Sequence, residues 1–378
     1  MEEYYVIELK GRIDSNSAAK EEERILKLMD ENPDKNIEFN ASGLTYISSA
    51  GLRVLMKAKK HCRKDLIITD VDPEVYNIFD VTGFLELFNV RKKYREISVD
   101  GCEVIGKGFF GTVYRLDEDT VVKKYESPEA LAMIENEKRL AKLAFVAGVP
   151  TAISFDIVKI GDSYGSVFEL LKAKNFNDLI IENPSDADNI IKRYVELIKH
   201  VHSISFPDGT LTSAKGIFKK KLKNIKSLLT DSLFDKLNEF ISSIPEDNHL
   251  IHGDLQMKNI MLSGDEPMLI DMDTLCQGVP LFEFGGIYMA YVAFKLDDPG
   301  NCMRFFGITD NMADRIWDGV LNEYYPGVTG EQRENIIDDA RTVAYISFLN
   351  ILINSSRDDE LAQMQIGHVI EYLTQRFS

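Results

Sequence analysis

Two apolar runs late in the chain enclose a polar loop and end in a pair of carboxylates. The first segment reads Leu250-Ile251-His252-Gly253-Asp254-Leu255-Gln256-Met257-Lys258-Asn259-Ile260-Met261-Leu262, and the second reads Met268-Leu269-Ile270-Asp271-Met272-Asp273. Asp254 and Asn259 can bracket one loop, and Asp271, after an apolar strand, can face the same point. Phosphoryl transfer asks a protein for few parts: a carboxylate that orients and deprotonates the acceptor, and hard oxygen ligands that hold Mg²⁺ against nucleotide phosphates. Asp254 suits the first role. Asn259 and Asp271 suit the second.

A second cluster lies upstream. Gly106-Lys107-Gly108-Phe109-Phe110-Gly111-Thr112-Val113 stands between Glu103-Val104-Ile105 and Tyr114-Arg115-Leu116. Gly106, Gly108 and Gly111 allow backbone to approach a polyphosphate closely. A dinucleotide fingerprint would open a helix at the third glycine, whereas Thr112-Val113-Tyr114 continues as a strand, so the segment reads as a hairpin over phosphates. The β-type run Thr120 to Tyr125 then places Val121, Lys123 and Tyr125 on one face. A lysine turned inward is costly unless it meets anions, and the α and β phosphates with a helix carboxylate would supply them. Glu137 is the expected partner and Glu135 its rival. The alternative is that Lys123 and Lys124 are exposed strand lysines.

The loop motifs, Gly-rich hairpin, strand lysine and helix glutamate occur in one order. From about residue 101 onward the chain resembles the aminoglycoside phosphotransferase and choline kinase-like branch of the protein-kinase fold. His-Gly-Asp in place of His-Arg-Asp, and Ile-Asp-Met-Asp in place of Asp-Phe-Gly, favour that branch. The resemblance implies an α+β two-lobed fold, with a β-rich N-lobe over about 98–171 and a helical C-lobe over about 172–378. It further implies ATP and Mg²⁺ as cofactors, Asp254 as catalytic base with His252 as a hydrogen-bonding scaffold residue of its loop, Asn259 and Asp271 as metal ligands with Asp273 in support, Lys123 on the phosphates with Glu137 holding it, and Val167 to Leu171 as an adenine-binding hinge.

Residues 1–97 follow a different pattern. Short apolar runs at Tyr5–Leu9, Ile37–Phe39, Leu44–Ile47 and Leu66–Thr69 alternate with helical periodicity, which predicts an α/β module. Gly11 with Asp14 to Asn16 reads as a turn, and the basic stretch Arg91 to Glu96 marks the boundary. The string Leu44-Thr45-Tyr46-Ile47-Ser48-Ser49-Ala50-Gly51-Leu52, with Gly11-Arg12-Ile13-Asp14, resembles a STAS domain of the anti-sigma-factor antagonist type. The resemblance implies a module that binds protein partners and is often switched by phosphorylation of the hydroxyl directly before the glycine. Here that position holds Ala50. Ser49 is the neighbouring candidate phosphoacceptor, since a phosphate at a helix N-terminus is electrostatically favoured; helix capping is the competing role for these serines.

Charge narrows the partners. With 44 basic and 61 acidic side chains the chain carries −17, which disfavours nucleic acid. Residues 1–100 hold 16 basic and 19 acidic side chains, so the excess belongs to the remainder. Residues 281–378, with 7 basic and 15 acidic, would favour a cationic acceptor such as an aminoglycoside or amino alcohol if their carboxylates lined the cleft, and are otherwise solvated helix faces. No apolar stretch is long enough to span a membrane and the start lacks a secretory pattern, so a cytoplasmic location is expected. The four cysteines are scattered and read as reduced thiols. His200 and His202 make a poor metal pair, and Lys219, Lys220, Lys221, Lys223 and Lys226 read as lysines spread around a solvent face or as a docking patch. The leading expectation is transfer of a γ-phosphate to a small-molecule hydroxyl. The alternative is a protein kinase or nucleotide-binding regulator of a STAS-type partner-switching pathway.

Overall fold

The computed structural model describes residues 4–107, 111–127, 130–171, 173–355 and 359–378. Two compact units form, one from residues 1–98 with 157–162 and the other from 99–156 with 163–378.

In the first unit, β1 (Tyr4–Ile13), β2 (Asn36–Ile47), β3 (Leu66–Val71) and β4 (Asn89–Lys92) form a parallel sheet in that order. Helices α1 (Ala18–Asp30), α2 (Ser49–His61) and α3 (Pro73–Val81) connect them. Each helix buries a stripe: Ile25 and Met29 on α1, Val54, Leu55 and Ala58 on α2, Val75 and Phe79 on α3. The near-continuous apolar run of β3 fits a strand covered on both faces. The two runs expected at Ile37–Phe39 and Leu44–Ile47 are one strand, because buried Ala41 carries the alternation between them. Gly11 lies within β1 at φ +65°, beside an irregularity of register with β2, and the turn begins only after Ile13. The stretch expected as a boundary contributes to β4 and to β5 (Arg95–Glu96), whose Arg95 pairs in parallel with Val158 of β9 (Asp156–Ile160).

The second unit opens with antiparallel strands β6 (Val104–Lys107), β7 (Gly111–Arg115), β8 (Thr120–Tyr125) and β10 (Ser163–Glu169), with β8 between β7 and β10, and with helix α4 (Leu131–Val146). Next come β11 (Lys174–Asn175), α5 (Phe176–Glu182), α6 (Ala187–Ser203), α7 (Ala214–Asn224) and α8 (Asp231–Ser243). Strands β12 (Leu250–Ile251), β13 (Ile260–Ser263), β14 (Glu266–Leu269) and β15 (Cys276–Gln277) carry the polar loop segments. Helices α9 (Leu281–Tyr291), α10 (Asn301–Phe306), α11 (Asp310–Tyr324), α12 (Gly330–Asn354) and α13 (Glu360–Arg376) follow. Helix α12 is buried almost all round from Ala340 to Leu349, and it crosses α9 so closely at Gly285 that a Cβ there would lie 2.2 Å from Val343 Cγ1. Among the described residues, no helix is long and apolar enough to cross a membrane.

Candidate active site

The loop from His252 to Asn259 leaves β12 and enters β13, as the flanking apolar runs require. Gly253 sits at φ +85°, where a Cβ would lie 2.8 Å from the Thr274 carbonyl oxygen, so only glycine fits. The loop is pinned at successive positions. The His252 and Gly253 amides donate to the carboxylate of Glu283 at 2.7 and 3.0 Å, the Met257 amide donates to Tyr291 Oη at 3.0 Å, Thr274 Oγ1 donates to the His252 carbonyl at 2.7 Å, and Tyr194 Oη donates to the Leu255 carbonyl. His202 Nε2 lies 3.5 Å from Glu283 Oε2. Burial works to raise the Glu283 carboxyl, but the nearby His202 ring, together with His252, holds it below the usual range.

Asp254 stands on this platform. Asn259 Nδ2 donates to its carbonyl at 2.9 Å and to Oδ2 at 3.0 Å, and Gln256 Nε2 lies 3.3 Å from Oδ2. Burial pushes the carboxyl up to about 6, with Asp271 adding repulsion and His252, Gln256 and Asn259 opposing the shift. A recessed carboxylate titrating there is suited to accept a proton near neutral pH.

Asp271 follows β14 with a left-handed backbone, φ +59°, a conformation aspartate tolerates better than most residues. Lys123 on β8 reaches it: Nζ donates to Asp271 Oδ1 and lies 3.7 Å from Glu137 Oε1 on α4. Burial disfavours the ammonium, but Glu137 and Asp271 outweigh it and hold Lys123 above its ordinary range. Glu137, itself buried, also accepts from Tyr125 Oη. Of the two candidate glutamates, the structure brings Glu137 to Lys123. Burial and the neighbouring Asp271 carboxylate raise Asp273 above the usual range, with Lys123 opposing. The Asp271 and Asp273 carboxylates repel one another, and carboxylate and amide oxygens such as those of Asp271, Asp273 and Asn259 are hard donors of the kind that suit Mg²⁺.

The glycines separate. Gly111 is demanded by strand pairing alone, since a Cβ would lie 2.2 Å from the Lys124 carbonyl oxygen. At Gly106 a Cβ would make ordinary contact with Val113, and Gly108 lies outside the described residues. Beyond the expected hinge an open cavity of about 530 Å³ is lined by Leu171, Ala173, Lys174, Leu179 and Leu262.

Several contributors were not visible beforehand. Glu283, Tyr194, Tyr291 and His202 hold the loop from α9 and α6; the one available signal was a lone carboxylate inside the apolar run of α9, which must be paired if buried. Lys221, expected on a solvent face, instead turns inward beside Phe218 and donates to Ser347 Oγ at 3.0 Å. His200 and His202 go to separate partners, the Gly148 carbonyl and Tyr324 Oη. In the first unit, Ser48 caps α2 by accepting from the Ala50 amide at 3.2 Å, while Ser49, the first helical residue, is exposed.

Known proteins bear on both units. The ADP-bound crystal structure of aminoglycoside phosphotransferase APH(2'')-Ib superposes with a TM-score of 0.50 at 15% identity, covering 81% of this chain and 99% of that one. A thermostable mutant of aminoglycoside phosphotransferase APH(4)-Ia in its apo form gives a TM-score of 0.52 at 13% identity, covering 73% and 94%. At such identities the likeness establishes the kinase-like fold. BtrV of Bordetella bronchiseptica, provisionally named an anti-sigma factor antagonist, is 32% identical over 85 residues, spanning 22% of this chain and 72% of that protein. Residues 2–97 match the STAS domain. Residues 101–307 match the family described as Phosphotransferase enzyme family, so the chain belongs to that family and carries an N-terminal STAS domain.

Proposed function

We propose that the second unit transfers the γ-phosphate of ATP to a hydroxyl of a small molecule, with Mg²⁺ as cofactor. The observation that carries this reading is the convergence of Asp254, Asn259, Asp271, Lys123 and Glu137 on one site from four separate segments. Asp254 orients the acceptor hydroxyl and takes its proton as that oxygen bonds to the γ-phosphorus and the bond to ADP breaks. Asn259 fixes the Asp254 carboxylate, and its amide oxygen with Asp271 and Asp273 would hold the metal, which supplies charge neutralisation on the phosphates. Lys123, kept charged by Glu137, pairs with the α and β phosphates, and the cavity bordered by Leu171 and Leu262 takes the base. In the experiment, labelled ATP is supplied with a panel of hydroxyl compounds that includes an aminoglycoside and amino alcohols. Label is expected on a small molecule; label found only on protein would overturn the reading.

For the STAS domain we propose docking of a protein partner, supported by the family match and by the BtrV relative. Any phosphoswitch there uses Ser49, the exposed hydroxyl beside the cap, because position 50 is alanine. Intact-mass measurement after ATP treatment, with Ser49→Ala as control, tests this: an 80 Da gain, about the mass of one phosphoryl group, that disappears in the variant supports the switch, and no gain removes it.

A further inference from the structure

Helix α7 turns Ala214, Phe218 and Leu222 inward, and Lys221 lies beside them, one helical turn beyond Phe218. Its Nζ sits 4.5 Å over the Phe218 ring and donates to Ser347 Oγ of α12 at 3.0 Å. Among the described residues no carboxylate forms an ion pair with it. Of the other lysines here, Lys215 Nζ lies 3.6 Å from Glu246 and Lys226 Nζ 3.7 Å from Asp231, while Lys220 and Lys223 are exposed to solvent, where an unpaired ammonium costs little. A partly buried ammonium with one neutral hydroxyl and one aromatic face has donors left over, and its charge is uncompensated at close range.

The fold brings this helix to the catalytic loop. Ser213, its N-cap, bridges to Gln277 of β15, and a Cβ on Gly278 would lie 2.8 Å from Ala214 Cβ. Cys276 of the same strand pairs with Ile251, the residue that precedes His252. On the other side Ser347 follows, by one turn, the Val343 and Ala344 contact of α12 with Gly285 of α9, the helix whose Glu283 holds the loop. Burial lowers the Lys221 ammonium from its usual range, while Cys276 and Asp254 lie close enough to oppose that shift.

Six acidic side chains of the helical region have a partner at hand. Asp297 pairs with His368, Asp298 with Arg304, Asp314 with Lys295, Asp318 with Arg333, Asp338 with Arg341 and Asp339 with Arg376. Those carboxylates are compensated locally, whereas the cation on the catalytic side is not.

We propose that Lys221 binds an anionic group of the acceptor, so that the phosphorylated molecule is a hydroxyl compound bearing a carboxylate or phosphate. This rests on the phosphotransfer reading above and assigns its substrate class. Lys221 is a specificity residue: it sits on the acceptor's charge, while Asp254 acts on its hydroxyl.

The whole 378-residue chain is given labelled ATP and, separately, glycerol, ethanolamine, kanamycin, glycerate and glycerol 3-phosphate. Glycerate or glycerol 3-phosphate is expected to accept label best, and which of the two leads tells carboxylate from phosphate. Lys221→Met should raise the acceptor KM by roughly 30-fold or more, as loss of one partner of a buried charge pair does, with the KM for ATP unchanged. Lys221→Arg should recover most of the loss, and Lys220→Met, on the exposed face, should change nothing. Preference for ethanolamine or kanamycin, or an unchanged acceptor KM in Lys221→Met, overturns the proposal.

A second measurement applies if none of the five is labelled. Lys221 is modified with an amine reagent and mapped by peptide mass, with and without inorganic phosphate or glycerate. Protection by either anion supports the assignment, and no protection overturns it. Failure of the phosphotransfer reading looks different: it is the loss of ATP binding, or label on protein alone, whatever residue 221 is.

Discussion

Two corners of this molecule solve one backbone problem and differ in what they present. At the start of α2, a Cβ on Gly51 would lie 2.6 Å from the Ile13 carbonyl oxygen; after β12, a Cβ on Gly253 would lie 2.8 Å from that of Thr274. Each corner is tied by a side chain that accepts from backbone amides, Ser48 in the first and Glu283 in the second. Next to the glycine stands a methyl group in one case, Ala50, and a recessed carboxylate in the other, Asp254. The first corner keeps its geometry with no carboxylate beside the glycine, because glycine and cap suffice. The second holds a carboxyl that burial pushes up to about 6, a group that opposes folding once ionised. Keeping such a group against stability points to use, and an inert methyl points to scaffolding.

The largest expected effect breaks the comparison on its chemical side. Asp254→Ala should lower phosphate transfer by about 10²–10⁴-fold or more, measured with labelled ATP, while nucleotide binding measured by calorimetry is largely preserved. Turnover within a few-fold of the parent would make the two corners equivalent scaffolds. Next, Gly51→Ala and Gly253→Ala should each destabilise their own unit by roughly 2–3 kcal/mol in denaturant titrations, since each new Cβ meets a backbone oxygen that cannot swing aside. A loss at only one glycine would show that the other corner can yield.

The pH dependence sharpens the same contrast. Because Asp254 must be ionised to accept a proton, kcat/KM should rise with pH through about 6 and then level off. The stability sign is opposite. A carboxyl whose folded pKa lies above its unfolded value contributes stability that is fully present below the unfolded pKa and lost as pH rises through about 6. Asp254→Asn should therefore be more stable than the parent at pH 7, by about 1–2 kcal/mol in chemical denaturation without nucleotide or metal. A less stable variant would show that the carboxylate is structural. The smallest effects belong to the first corner: Ser48→Ala should cost about 1 kcal/mol as a lost cap, and Ser49→Ala less than about 0.5 kcal/mol. Equal losses would mean that Ser49 shares the capping.

Where the proposed chemistry depends on residues close in sequence, their placement could be read directly. Asp254 and Asn259 lie on one loop, and the apolar runs around them place it between strands. The alternation of β8 put Lys123 and Tyr125 on one face, and both meet Glu137. The choice between Glu135 and Glu137 needed the rotation of α4, which the weak amphipathicity of that helix leaves open. Glu283, His202, Tyr194 and Tyr291 act across dozens of residues on helices whose periodicity reports burial but not partner. A lysine-rich helix likewise does not announce which lysine faces inward: Lys221 does so because Phe218 and Leu222 are buried beside it and Ser347 of α12 accepts from its ammonium.

By itself, then, the order of residues determined a STAS module followed by a phosphotransferase-type chain, since glycines, strand lysine and loop carboxylates are local patterns whose spacing dictates local structure. Which carboxylate holds the loop at Asp254, which glutamate meets Lys123 and which lysine of α7 turns inward were decided only by the tertiary fold. Those are pairings between distant segments, set by how helices pack, and burial alone makes their charges matter.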